Sequence, residues 1–205
     1  MEVRNRRDDL LIREANQSDL PELARIHLVA YSTAHFTSLL PHDVLCDYYS
    51  QFICSESRAS LLISTENGKE AIVGFAVHGE GIPDRLTRFK RHHAGRIFRT
   101  ALLHPVRSVL KLINAVKSRL KAGPNDEPVD YLLLSIAVVT PGAGHGARLL
   151  DHVCADAARR GRETVGLYVN SDNFRAVNAY FGAGFRVRGY RVGQYYMEYC
   201  QNQHG

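Results

Sequence analysis

The chain reads as an α/β protein of the α+β kind: a mixed, mostly antiparallel sheet flanked by helices, with a basic helical insertion. Three observations predict this. Apolar runs of strand length alternate with segments of helical spacing along most of the chain. From residue 130 the order is strand, glycine-rich turn, helix, strand, helix, strand, strand. Upstream of that, residues 83–128 break the alternation and keep helical spacing alone. With 205 residues, 45% of them hydrophobic, a single domain over residues 1–205 can bury a core, with the insertion inside it.

In chain order, Leu10-Leu11-Ile12 is a short first strand. Asp19-x-x-Glu22 can cap a helix that tolerates Pro21 in its first turn. Leu20, Leu23, Ile26, His27 and Ala30 then share one helical face. A second helix is expected from about Pro41 to Phe52, carrying Val44, Leu45, Tyr48 and Tyr49. Leu61–Thr65 and Ala71–Val77 are strands joined by a turn containing Asn67-Gly68, a hairpin signal. Pro83 opens the insertion and Gly123-Pro124 through Pro128 close it. Within it, apolar positions from Ile97 to Leu120 predict two or three amphipathic helices, with a break or kink at Pro105.

Bulk properties narrow the class. Cys46, Cys54, Cys154 and Cys200 form no C-x-x-C pair and no metal spacing, as expected of thiols in a reducing compartment. Met1 to Asp9 is charged, which argues against a signal peptide, and no run approaches a membrane span. A cytoplasmic protein is expected. The net charge of +5 is unevenly placed. Residues 85–121 hold 11 Lys and Arg and no acid, while the remainder is net −6. A partner chosen by charge belongs there, unless these cations are only the solvated face of packed helices.

Chemistry concentrates in residues 132–185. The strand Leu132–Val139 enters the turn Pro141-Gly142-Ala143-Gly144-His145-Gly146, and a helix follows from Ala147. Backbone N–H groups at such a helix start cradle phosphate. Taken alone, Gly144-x-Gly146 is also compatible with an ordinary strand-to-helix turn. It is no Rossmann fingerprint, since the third glycine and the acidic residue ending the next strand are missing. Nor is it a Walker loop, since no Gly-Lys-Ser/Thr follows.

The whole constellation resembles the GNAT superfamily of acyl-CoA N-acyltransferases. Its carriers are Ser135-Ile136-Ala137-Val138, Gly144-x-Gly146 with Leu149-Leu150, and Asn173…Ala176…Tyr180…Gly184-Phe185. The resemblance is close over residues 130–190 and looser over 10–80. The insertion between the third and fourth strands looks like that of a bacterial subgroup found near surface-polysaccharide genes.

The resemblance implies acetyl-CoA, or another acyl-CoA, as co-substrate and no metal. The strand before the glycine turn would splay from its neighbour, so that Ile136, Ala137 and Val138 pair with the pantetheine arm. Ala143, Gly144, His145, Gly146 and Ala147 would face the pyrophosphate. Asn173 would bond the pantetheine arm, and it also suits a helix cap. Tyr180, seven residues further on, would protonate the leaving thiolate; its bland alternative is a core tyrosine beside Ala176 and Val177. One departure stands out. The family usually has Gln or Arg three residues before the first glycine of the turn, and here that place is Pro141. Fewer bonds would then hold the pyrophosphate, or Arg148 and other cations would compensate.

A general base must take a proton from the arriving ammonium. Glu80 and His78 end the third strand, Ser135 lies on the fourth where it could hold a water, and His145 sits in the phosphate turn. A water chain without a single base serves equally. His35, His42 and His92-His93 lack carboxylate or Cys partners at metal spacing, so no metal site is expected. Ser135 lacks Asp and His partners for a hydrolase triad.

The implied activity is transfer of an acyl group, by default acetyl, from acyl-CoA to a primary amine of a small molecule by direct attack. The alternatives are a longer-chain acyl-CoA or acyl carrier protein donor, and a catalytically degenerate CoA-binding module. An amino sugar or nucleotide-linked sugar is the expected acceptor. An anionic partner or membrane surface is the expected ligand of residues 85–121, and nucleic acid is not, because aromatics are sparse there. Should the insertion be purely structural, substrate choice would fall to the first two helices around Tyr31, His35, Phe36 and Tyr49.

Overall fold

The structure is a computed structural model that describes residues 10–31, 36–66, 68–103 and 129–201. Its strands are β1 (Leu10–Glu14), β2 (Ser57–Glu66), β3 (Lys69–Gly79), β4 (Leu132–Val138), β5 (Thr164–Asn170), β6 (Arg186–Arg191) and β7 (Gln194–Cys200). They form one seven-stranded sheet in the order β1-β2-β3-β4-β5-β7-β6. Every pairing is antiparallel except β4 with β5. This is the mixed, mostly antiparallel sheet expected.

The helices are α1 (Leu20–Ala30), α2 (His42–Ser50), α3 (Ile82–His92), α4 (Ala94–Leu103), α5 (His145–Arg159) and α6 (Phe174–Gly182). Two apolar layers sandwich the sheet. Leu61, Ile63, Phe75 and Val77 point to one side, with Leu23, Ile26, Leu45, Tyr49 and Phe89 of α1, α2 and α3. Leu62 and Ala76 point to the other, with Leu149, Val153, Ala157 and Tyr180 of α5 and α6. Strands covered on both faces need apolar residues at every position, which is why β2 and β3 read as continuous runs. Their ladder runs from Ser57↔Gly79 to Glu66↔Lys69, well past the apolar runs, because backbone pairing does not stop where hydrophobicity does.

Two local expectations need correction. Asp19 does not cap α1; its carboxylate accepts the Asn16 N–H at 2.8 Å and pairs with Arg13 at 2.7 Å. Asn16 caps the short turn Gln17–Asp19 instead. Ala30, the last residue of α1, is exposed.

The insertion begins as α3 and α4, between β3 and β4, and residues 104–128, including Pro105, lie outside the described residues. Phe89 stacks edge-on against Tyr48 of α2 at 5.2 Å, and Arg96 pairs with Asp43 at 2.6 Å. These contacts lay the insertion against α2.

Strand β4 carries the irregularity that matters for the site. Val77 pairs with Ser135 and His78 with Leu133, so Leu134 is an extra residue, a β-bulge. Alternation would send Leu134 and Ser135 to opposite faces. The bulge lets both reach the α1/α2 side, where Leu134 joins the core and Ser135 meets Tyr31 and Tyr49. Beyond the bulge β4 and β5 part. Their ladder holds only Leu132↔Gly166 and Leu133↔Leu167.

Candidate active site

The parting of β4 from β5 opens a cavity of about 320 Å³, within the range of small-molecule sites. β4 supplies Leu133, Leu134, Ser135 and Ile136; β5 supplies Tyr168, Val169 and Asn170. Asn173, Ala176 and Tyr180 come from the start and inner face of α6, His27 and Tyr31 from α1 and its end, and Tyr48 from α2. No Asp, Glu, Lys or Arg lines it among the described residues.

At one end lies the glycine turn. Gly142 and Gly144 have φ of 88° and 81°, a left-handed backbone that glycine adopts freely. Two such residues swing the chain from β4 straight into α5. The N–H groups of His145, Gly146 and Ala147 start α5 and have no intrahelical acceptor. A side chain added at Gly146 would meet no protein atom within 4 Å. That glycine is required neither by backbone conformation nor by internal packing, as expected where a ligand approaches. The Nδ1 atom of His145 is buried with no hydrogen-bond partner.

Arg148, one candidate to compensate for Pro141, donates to the Leu10 carbonyl at 2.7 Å and so is anchored to β1. Arg175 stands closer to the turn. Its guanidinium would lie 4.0 Å from a Cβ at Gly142, and it makes no ion pair among the described residues. Sequence reading missed it, although Arg175 stands two residues after Asn173.

Asn173 caps α6, its Oδ1 accepting the Ala176 N–H at 3.2 Å. The amide nitrogen keeps its donors for the cavity, so the cap and a ligand contact are compatible. Tyr180 is only 8% exposed, yet its hydroxyl makes no hydrogen bond among the described residues. Burial, together with the nearby Tyr31, pushes this phenol above its ordinary value, so it holds its proton at neutral pH.

Opposite Tyr180 four side chains form a closed polar group. His27 Nδ1 lies 2.6 Å from the Tyr49 hydroxyl. Tyr49 reaches Ser135 Oγ at 3.5 Å, and Ser135 lies 2.8 Å from the Tyr31 hydroxyl. The Tyr31 ring stacks back on His27 at 4.5 Å. Tyr31 also accepts the Ile136 N–H at 3.2 Å and donates to the Ile136 carbonyl at 3.0 Å. In this state, therefore, the backbone groups of Ile136 are engaged by a phenol, and a ligand that pairs there must displace it. Burial raises the Tyr31 and Tyr49 phenols as well.

Of the four base candidates only Ser135 lines this cavity; His145 stays at the start of α5. Glu80 lies outside its lining and pairs with Arg162 at 2.6 Å, at the closed end of the sheet where β4 and β5 begin. His78 is wholly buried on the α5 side, because alternation along β3 puts it on the face of Ala76, opposite Phe75 and Val77. It bonds Ser60 at 2.9 Å and Tyr131 at 2.6 Å, and Tyr131 donates to Asp156 at 2.7 Å. Desolvation pushes the His78 imidazole down to about 3 despite Asp156. Neither is placed to take a proton from a ligand in the cavity. Among the described residues no three His, Cys, Asp or Glu side chains cluster to hold a metal ion.

No protein-family model and no curated protein matches this chain. Solved structures share its arrangement end to end. An N-acetyltransferase from Staphylococcus aureus Mu50 aligns with a TM-score of 0.57 at 15% identity, over 95% of this chain and 100% of its own. A ribosomal-protein-alanine N-acetyltransferase from Brucella melitensis aligns at 0.56 and 16%, over 93% and 99%. Arabidopsis thaliana NAA60, in complex with acetyl-CoA, aligns at 0.54 and 15%, over 94% and 99%. At such identities the likeness is one of fold, and the fold is GNAT-like.

Proposed function

We propose that this protein transfers an acyl group, by default acetyl, from acyl-CoA to a primary amine of a small molecule. The observation that carries the reading is one cavity lined by the parted β4 edge, the Asn173 start of α6 and a buried tyrosine with no partner among the described residues, with the glycine turn following directly on β4. Two of the neighbours are N-acetyltransferases by name, and a third was solved with acetyl-CoA. The turn residues Ala143 to Ala147 would hold the pyrophosphate, with Arg175 supplying the cation that Pro141 does not. Asn173 and the backbone of Ile136, Ala137 and Val138 would hold the pantetheine arm once Tyr31 yields. The amine attacks the thioester carbonyl, a C–N bond forms, and the C–S bond breaks. The departing thiolate, ordinarily of pKa near 8.5, takes the Tyr180 proton. The second ammonium proton of the intermediate restores Tyr180.

For the acceptor, the basic α3 and α4 favour a nucleotide-linked or other anionic amino sugar. Arg85 is paired with Glu56 and Arg96 with Asp43. Arg88, Lys90, Arg91 and Arg99 make no ion pair among the described residues. α3 stands directly behind Tyr48 of the cavity wall through Phe89, and α4 is tied to α2 by Arg96 and Asp43.

Thermal-shift titration with acetyl-CoA, longer acyl-CoAs and free CoA tests the donor. Thiol release over glucosamine, alanine and spermidine tests the acceptor. Stabilisation by acetyl-CoA with amine-dependent thiol release is expected. Preference for a long acyl chain would move the donor; no shift with any thioester would overturn the reading.

A further inference from the structure

Resting on that function, we infer that His27 is the final acceptor of the amine proton, reached through Ser135 and Tyr49. The cavity poses the problem. It contains no carboxylate among the described residues, so the usual base for an ammonium is missing. Among its described lining residues only imidazole ordinarily titrates between pH 5 and 8, and His27 is that imidazole. Its Nδ1 points away from the cavity to Tyr49. A ligand proton that reaches Nδ1 passes by way of Tyr49, and Ser135 is the cavity residue in hydrogen-bond contact with Tyr49.

The geometry supports a relay. Ser135 Oγ is exposed to the cavity at the bulge, beside the β4 backbone where the thioester would lie. The ammonium gives a proton to Ser135 Oγ as the Ser135 proton passes to the Tyr49 oxygen. The Tyr49 proton passes to His27 Nδ1, leaving neutral amine, intact Ser135 and Tyr49, and an imidazolium. Return of that proton to solvent after turnover resets the chain. Buried, with its phenol pushed well above the ordinary value, Tyr49 keeps its proton at rest and donates it to Nδ1. The 3.5 Å step from Ser135 to Tyr49 is the long one. Such contacts tighten when the reacting complex forms. At rest the Ser135 hydroxyl can point to Tyr31; displacement of Tyr31 from Ile136 by the pantetheine arm frees it to turn to Tyr49. Proton uptake is then coupled to donor binding. Among the described residues that line the cavity or contact His27, the titratable groups around it are phenols: Tyr31 at the end of its own helix, Tyr48 and Tyr49 from α2, and Tyr180 across the cavity.

The test is a pH profile of kcat/KM for thiol release. It uses acetyl-CoA and whichever of glucosamine, alanine and spermidine reacts fastest. Wild-type activity should rise with pH through a limb set by the relay base as it becomes neutral. Tyr49→Phe keeps the ring and its packing but cuts the wire. It should lower kcat/KM roughly 10²-fold at pH 7 and move the limb up toward the titration of the free amine. His27→Gln should do the same, and the double variant should be no worse than either single one. Acetyl-CoA affinity by calorimetry should stay within twofold in all three. An unchanged limb in Tyr49→Phe, or additive losses in the double variant, would overturn the relay and leave these residues as packing. If His27→Gln fails to fold, Tyr49→Phe alone decides. A wild-type protein that binds no acetyl-CoA would instead overturn the function itself, and the relay with it.

Discussion

At the scale of single residues, the site depends on polar groups whose burial sets their protonation. Tyr180 shows this most clearly. Its ring is buried, and its hydroxyl, without a hydrogen bond among the described residues, belongs to a side chain that lines the cavity. Its neighbours Phe185 and Ala176 offer no acceptor, and the cavity does. Tyr180→Phe removes the hydroxyl alone. Turnover should fall roughly 10²-fold, while acyl-CoA affinity stays nearly constant because the ring remains. Steady-state kinetics beside calorimetry separates the two. Wild-type turnover in this variant would make Tyr180 a packing residue.

At the scale of elements, the turn into α5 and the helices α3 and α4 each make a distinct claim. Gly146 faces open space, so Gly146→Glu should fold normally, and an acid in the first turn favours the helix. The same carboxylate would stand where the pyrophosphate must lie. Acyl-CoA affinity should drop at least tenfold, about 1.4 kcal/mol, with an unchanged melting temperature of the free protein. Equal affinity in calorimetry would remove the turn from the site. For the insertion, Arg88, Lys90 and Arg91 reversed together to Glu should weaken an anionic acceptor and leave acyl-CoA binding intact. Wild-type activity should in turn fall with added salt, since exposed charges are screened over about 10 Å at 0.1 M. Full activity after reversal would mean that these cations only solvate α3.

At the scale of the whole molecule, the buried group of Ser60, His78, Tyr131 and Asp156 ties β2, β3 and α5 together on the face opposite the cavity. Its imidazole is neutral because burial depresses it to about 3. A group whose folded value lies below its unfolded one stabilises above the unfolded value and loses that contribution as pH falls. From an unfolded value near 6.5, about 2 kcal/mol should be lost between pH 7 and pH 5. Tyr131, Arg58 and Arg159 hold the Asp156 carboxylate low against its own desolvation, and this works in the same direction. A melting temperature lower by about 4–8 °C at pH 5 than at pH 7 is therefore expected. His78→Gln should flatten that slope, and a melting temperature independent of pH in the native chain would refute the assignment.

The amino-acid sequence by itself determined the order of elements, the glycine turn and the Asn173-to-Phe185 segment, because these rest on local spacing and on backbone freedom that only certain residues provide. It also singled out Ser135 and Tyr180 as candidate site residues, and both line the cavity. It could not reveal that Leu134 is a bulge, since one extra residue is visible only against the register of β3. One outcome turns on that single residue. Ser135 faces Tyr31 and Tyr49, which stand 104 and 86 positions away in the chain. Likewise Glu80 read as a candidate base while Arg162, which holds it, lay 82 positions downstream. Parity along a strand is a local property, and which charged and polar side chains meet is not; only the packed sheet decided it.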